Sequence, residues 1–129
     1  MRVMAAAPIL PQDPTLDEVR AALAPLIARN AGFDGWRPAA VEMAAAQLGL
    51  APEIAALAFS GRAVAMIDAW FAHIDSAMLA ACPPDRLGPM KVREKITARV
   101  EARLDVLAPE REALRRALAI LAMPQNMTH

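Results

Sequence analysis

Residues 90–126 read MKVREKITARVEARLDVLAPEREALRRALAILAMPQN. Apolar side chains return there every three or four positions, at Ile96, Val100 and Leu104 and again at Leu114, Leu118 and Leu121. That period is one face of an α-helix, so two amphipathic helices are expected, over about 90–107 and 109–123. Pro109 suits the first turn of the second, where a missing N–H removes no intrahelical bond. The block is rich in charge and carries no catalytic group.

The same period extends upstream. Thr15 with Glu18 three residues on forms a capping box, opening a helix over about 16–29 with Leu16, Val19, Leu23, Leu26 and Ile27 on one face. Pro25 should kink its last turn. Residues 30–37, NAGFDGWR, read as a glycine-bearing turn whose Phe33 and Trp36 plug the core where helices cross. A second helix over 38–48 starts at Pro38, faces Val41, Ala44, Ala45 and Leu48 inward, and ends at Gly49. A short third helix covers 52–59. The fourth, over 62–81, has the stripe Val64, Ile67, Trp70, Phe71, Ile74 and Met78, and Pro83-Pro84 stop it.

Composition agrees with an all-α chain. Alanine fills 31 of 129 positions, tyrosine is absent, and strand formers are too sparse for a sheet. A chain of this length is one domain that can bury about two thirds of its unfolded surface. Fourteen basic and fourteen acidic residues cancel, so net charge does not announce nucleic acid. Cys82 is the only cysteine, which rules out an intrachain disulfide and fits a cytosolic compartment. The expected division is a flexible leader over 1–14, a helix-turn-helix-like part over 15–60, further bundle helices over 61–124 and a flexible tail over 125–129. The apolar run in the leader, broken by Pro8, Pro11 and Pro14, is too short to span a bilayer.

Three short helices followed by longer ones resemble the outline of TetR-type regulators. Residues 49–71, GLAPEIAALAFSGRAVAMIDAWF, line up with that family's turn, recognition helix and start of the fourth helix, with Phe59 on a characteristic phenylalanine. A recognition helix needs side chains that reach phosphates and base edges. Here the reading positions near Ala56, Leu57 and Ala58 are apolar, and Glu53 carries the wrong sign for phosphate. The architecture is therefore expected without DNA binding.

A second resemblance covers about 16–126. Phe33-Asp34-Gly35-Trp36, Met90 with Val92-Arg93-Glu94-Lys95-Ile96, Arg103-Leu104, Glu112-Ala113 and Pro124-Gln125-Asn126 resemble the ubiquinone-biosynthesis lipid-binding accessory family, which comprises the ninth Coq protein of eukaryotes and its bacterial homologues. The resemblance implies a TetR-like, non-catalytic protein that binds an isoprenoid lipid or quinone intermediate. It also implies a partner, the di-iron demethoxyubiquinone hydroxylase, and no cofactor of its own. Family members continue for several helices after Pro-Gln-Asn, whereas this sequence ends with Met127-Thr128-His129, so a C-terminally shortened member is implied. A homo-oligomer in the cytoplasm, peripheral on the inner face of the plasma membrane, is the expected setting. Two alternatives stay open: a TetR-type regulator, and a shortened remnant without activity.

Two sets of candidate site residues follow. Met66, Trp70, Phe71, Met78, Leu118, Leu121 and Met123 are large or flexible apolar side chains that could wall a lipid cavity, or simply fill a core. Lys91, Lys95, Arg99 and Arg103 step by four into one basic ridge, suited to anionic headgroups or an acidic partner, or to solvent balanced by Glu94, Glu101 and Asp105. Catalytic and metal-binding patterns are not expected. Ser60 and Ser76 lie in no nucleophile elbow, and His73 has no ligand at helical spacing. His129 is terminal. Faces bearing Ile96, Val100, Leu104, Leu114, Leu118 and Leu121 are expected to be covered only in part.

Overall fold

In the computed structural model, residues 10–126 are described, and they form an all-α bundle. Six helices of eight residues or more follow one another: α1 Leu16–Asp34, α2 Pro38–Leu48, α3 Pro52–Phe59, α4 Ala63–Ala81, α6 Val92–Leu107 and α7 Arg111–Leu121. A four-residue helix, α5 Pro84–Leu87, sits between α4 and α6. Short 3-10 turns at Ala108–Glu110 and Pro124–Asn126 precede and follow α7.

The helix α1 is the hub. Its buried residues Val19, Ala22, Leu23, Ala24, Ile27, Ala28 and Ala31 cover far more than one stripe, because α2, α3, α4 and α7 all pack against it. The Thr15 hydroxyl accepts from the Glu18 N–H at 3.1 Å, and the Glu18 carboxylate accepts from the Thr15 N–H at 2.8 Å. The helix does not stop near residue 29. It runs through Pro25 and Gly32 to Asp34, and Gly35 caps it. Proline and glycine are poor interior residues, but burial of Ile27, Ala28 and Ala31 in the shared core overrides local preference.

That extension changes the setting of Phe33. On the outer face of the last turn of α1, it is 82% exposed and plugs nothing. Trp36, beyond the cap, is buried as expected. Helices α2 and α3 fall where the sequence places them, each with proline in its first turn. The pair Pro83-Pro84 stops α4 but also starts α5, which brings Leu87 down onto Cys82, Ala98 and Ala102.

One core joins the parts before and after residue 60. It includes Leu23, Ile27, Trp36, Val41, Phe59, Met66, Ile67, Trp70, Ile74, Ala113 and Ala117. Of the leader, 1–9 lie outside the described residues. Leu10, Pro11, Gln12 and Pro14 lie beside Leu48, Leu50 and Ile54 at the α2–α3 turn. In the tail, 127–129 lie outside the described residues, while Gln125 and Asn126 belong to a 3-10 turn.

The helix α6 attaches mainly to α4. The Cys82 thiol donates to the Ala98 carbonyl at 3.4 Å, and Arg103 pairs with Asp75. Residues rise along α4 as they fall along α6, so the two run antiparallel.

Candidate functional site

The large side chains expected to wall a cavity are divided among several places. Met66 and Trp70 are fully packed in the core. Trp70 lies between Trp36 and Phe71, with ring centroids 5.4 and 5.8 Å away at tilted angles of 40° and 37°. Phe71 and Leu121 are half-buried against that core. Met78 is half-buried against the smaller cluster of Cys82 and Leu87. Leu118 and Met123 are exposed. The structure does not gather these seven residues around one void, because α1 fills the space between α4 and α7.

A different concavity occurs where the start of α4 meets the end of α7. Its volume is about 390 Å³, and Arg62, Ala63, Val64, Ile120, Met123, Gln125 and Asn126 line it. Met123 is the one member shared with the expected set. The Pro-Gln-Asn turn builds the outer wall. Asn126 donates through its backbone N–H to the Met123 carbonyl at 2.9 Å and through Nδ2 to the Ile120 carbonyl at 2.7 Å. These bonds satisfy carbonyls left over at the end of α7 and hold Met123 near Val64. The result is an apolar floor with Arg62, Gln125 and Asn126 as polar groups around it. The sequence signal for this turn, within the expected tail over 125–129, is the compact Pro-Gln-Asn triplet directly after a helix.

The basic ridge lies along α6. Lys91 and Arg99 are exposed, whereas Lys95 and Arg103 are half-buried. Arg103 is engaged with Asp75, and Lys91, Lys95 and Arg99 enter no ion pair among the described residues. Beside the ridge stand Val92, Ile96, Val100 and Leu104, from 51% exposed at Val100 to 73% at Val92. The inward face of α6 is made by Ala98 and Ala102. Ile96, Val100, Leu104 and Leu118 thus match the expectation of partly covered faces, while Leu114 and Leu121 are half-buried. Val92 belongs to the same strip, though its place at the first turn hid it from the periodic reading.

His73 is half-buried in a concavity of about 320 Å³ shared with Asp17, Arg20, Ala69, Ala72 and Ser76. Burial pushes the His73 imidazole below its ordinary pKa. Arg20 pairs with Asp17 and donates through Nε to the Ala58 carbonyl at 2.8 Å, fixing α1 to α3. Among the described residues, no group of three or more His, Cys, Asp or Glu side chains is placed to hold a metal ion. The outer face of α3 presents Glu53, Ile54, Ala56 and Leu57 to solvent. Helix α4 is the one described helix long and apolar enough to cross a membrane, with a mean hydropathy of 1.2, and here Val64, Met66, Ile67, Trp70 and Ile74 are buried in the bundle.

No family model matches this chain, and no curated protein or solved structure is detectably similar to it.

Proposed function

We propose that this chain is a TetR-like, non-catalytic lipid-binding accessory protein of ubiquinone biosynthesis, holding an isoprenoid quinone intermediate for a di-iron hydroxylase. The observation that carries the reading is the groove at the α4–α7 junction, with Val64, Ile120 and Met123 as its apolar floor and Arg62, Gln125 and Asn126 beside it. A quinone intermediate combines a ring bearing polar oxygens with an apolar tail, and such a groove offers partners for both. At about 390 Å³ it is at the small end for a ligand site, suited to the ring and the start of the tail, with the rest lying along the surface. Gln125 and Asn126, which belong to the triplet that resembles that family, line the same groove and support the reading.

The regulator reading is weaker on the chemistry of α3. Its exposed Glu53 and Leu57 offer neither a phosphate contact nor a base-edge donor. A gel shift with genomic fragments at physiological salt is expected to detect no complex above background.

Organic extraction of the purified protein followed by mass spectrometry tests the lipid reading, together with labelling by a photoactivatable short-chain isoprenoid quinone. Labelling should saturate, map to Val64, Ile120 or Met123, and fall at least tenfold in Ile120→Glu and Met123→Glu variants that keep their helical circular dichroism. Unsaturable labelling spread over the surface, with no quinone in the extract, would overturn it.

A further inference from the structure

The helix α6 is packed the wrong way round for a helix that ends its work inside one bundle. Ala98 and Ala102 face α4, while the branched aliphatics Val92, Ile96, Val100 and Leu104 face solvent at intervals of four. The amphipathic stripe of a lone bundle helix normally turns its bulkiest apolar residues to the core. A strip of this kind requires a partner surface, and its charged edges say which one.

Each strip residue is preceded by a base and, in the second half of the helix, followed by an acid. Lys91, Lys95, Arg99 and Arg103 form one edge, and the other runs Arg93, Thr97, Glu101 and Asp105, basic at its start and acidic in its second half. An anionic bilayer would attract the first edge and repel Glu101 and Asp105 in the second half of the other. A second copy of the chain can satisfy both. With a two-fold axis running along α6, Arg99 and Arg103 of one copy meet Glu101 and Asp105 of the other, so the contact centres on the second half of the helix. With the axis across α6, base would meet base and acid would meet acid.

From this we infer that α6 is the seam of a parallel, two-fold homodimer, closed by Ile96, Val100 and Leu104, with Arg99 of each copy beside Glu101 of the other. Such an interface is isologous, as most soluble dimers are. Residues at intervals of four form the ridge that packs against its own kind at a crossing angle of about −50°. The contact is therefore short, below the size of standard stable interfaces, and dissociation in the micromolar range is expected. The seam is independent of the α4–α7 groove and stands whether or not that groove holds a lipid.

Sedimentation velocity over a concentration series, with native mass spectrometry, tests the inference on the whole chain. The wild type should dimerise, and rising salt should weaken the dimer. Val100→Asp and Leu104→Ser, both at exposed positions, should each loosen it at least tenfold with helical content unchanged, so that neither result depends on one variant folding. Arg99→Glu alone and Glu101→Lys alone should each weaken it several-fold. The double variant carrying both should recover, since it exchanges the edges and keeps them complementary. A monomer at several hundred micromolar would overturn the inference. So would a dimer indifferent to Val100→Asp and Leu104→Ser, one strengthened by salt, or one not rescued by the double reversal. Binding of the monomer to phosphatidylglycerol vesicles, lost in Val100→Asp, would assign the strip to a membrane instead.

Discussion

The indole N–H of Trp36 donates to the carbonyl oxygen of Ala113 at 3.0 Å, across 77 residues of sequence. Both ends are buried, so the bond forms where water cannot replace it. It fixes the turn after α1 onto α7, whose Ala113 and Ala117 are small enough for the backbones to come close. A Cβ placed on Gly32 would lie 3.9 Å from the Ala113 nitrogen.

Replacing Trp36 separates the bond from the ring. Trp36→Phe keeps most of the packing on Trp70 and loses the donor, and should destabilise by about 1–3 kcal/mol. Trp36→Ala also empties the space and should cost about 3–5 kcal/mol. Urea denaturation followed by circular dichroism reads both. Equal losses would mean that the ring contributes nothing beyond its N–H.

Phe33 gives the opposite expectation. At 82% exposure it has little apolar surface to lose, so Phe33→Ala should shift stability by no more than about 0.5 kcal/mol. A loss above about 2 kcal/mol in the same experiment would place its ring inside a contact absent from this bundle.

The contrast between these two aromatics marks where the sequence was legible. Long periodic segments such as 63–81 and the proline-started α2 and α3 were readable, because period and cap act locally. The end of α1 was not, since Pro25, Gly32 and Gly35 all read as breakers while only Gly35 ends the helix. What keeps Pro25 and Gly32 helical is packing against four other helices, which no window of sequence contains. The candidate lipid wall failed to assemble for a related reason. Periodicity assigns Met66 and Trp70 to an apolar face but does not say whether that face meets a void or, as here, α1. The partly covered faces of α6 and α7 were legible in outline, while the alanine-inward orientation of α6 emerged only with α4 in place.

Gly35 ends α1 with φ 84° and ψ 171°, a region open almost solely to glycine. A Cβ there would also stand 3.5 Å from Nη1 of Arg116. Gly35→Ala should therefore cost about 1–3 kcal/mol, chiefly through backbone strain. Gly49→Ala, with φ 79° and open space around the Cβ, should lose only about 1 kcal/mol. Thermal or urea melts of the pair check the order, and a Gly35→Ala protein as stable as wild type would show that the α1 cap can relax.

Glu112, in the first turn of α7, should titrate well below the ordinary carboxylate range. Its oxygens accept from Arg115 at 3.0 Å and from Arg116 at 2.8 Å, and the hydrogen bonds to Arg115 and then Arg116 hold its pKa down to about 2. The positive end of the helix dipole acts in the same direction. The folded value lies below the ordinary 4.5, so the unfolded chain binds the proton first. The pairing thus favours the fold fully above about pH 4.5 and loses its effect as pH falls toward 2. Because the carboxylate is solvent-exposed, salt should reduce the shift. Side-chain carboxyl NMR at pH 3.5 should find Glu112 still ionised while ordinary glutamates are largely protonated. Arg115→Ala should raise its midpoint more than Arg116→Ala does. A midpoint near 4.5 in the unmodified protein would mean that neither arginine holds it in solution.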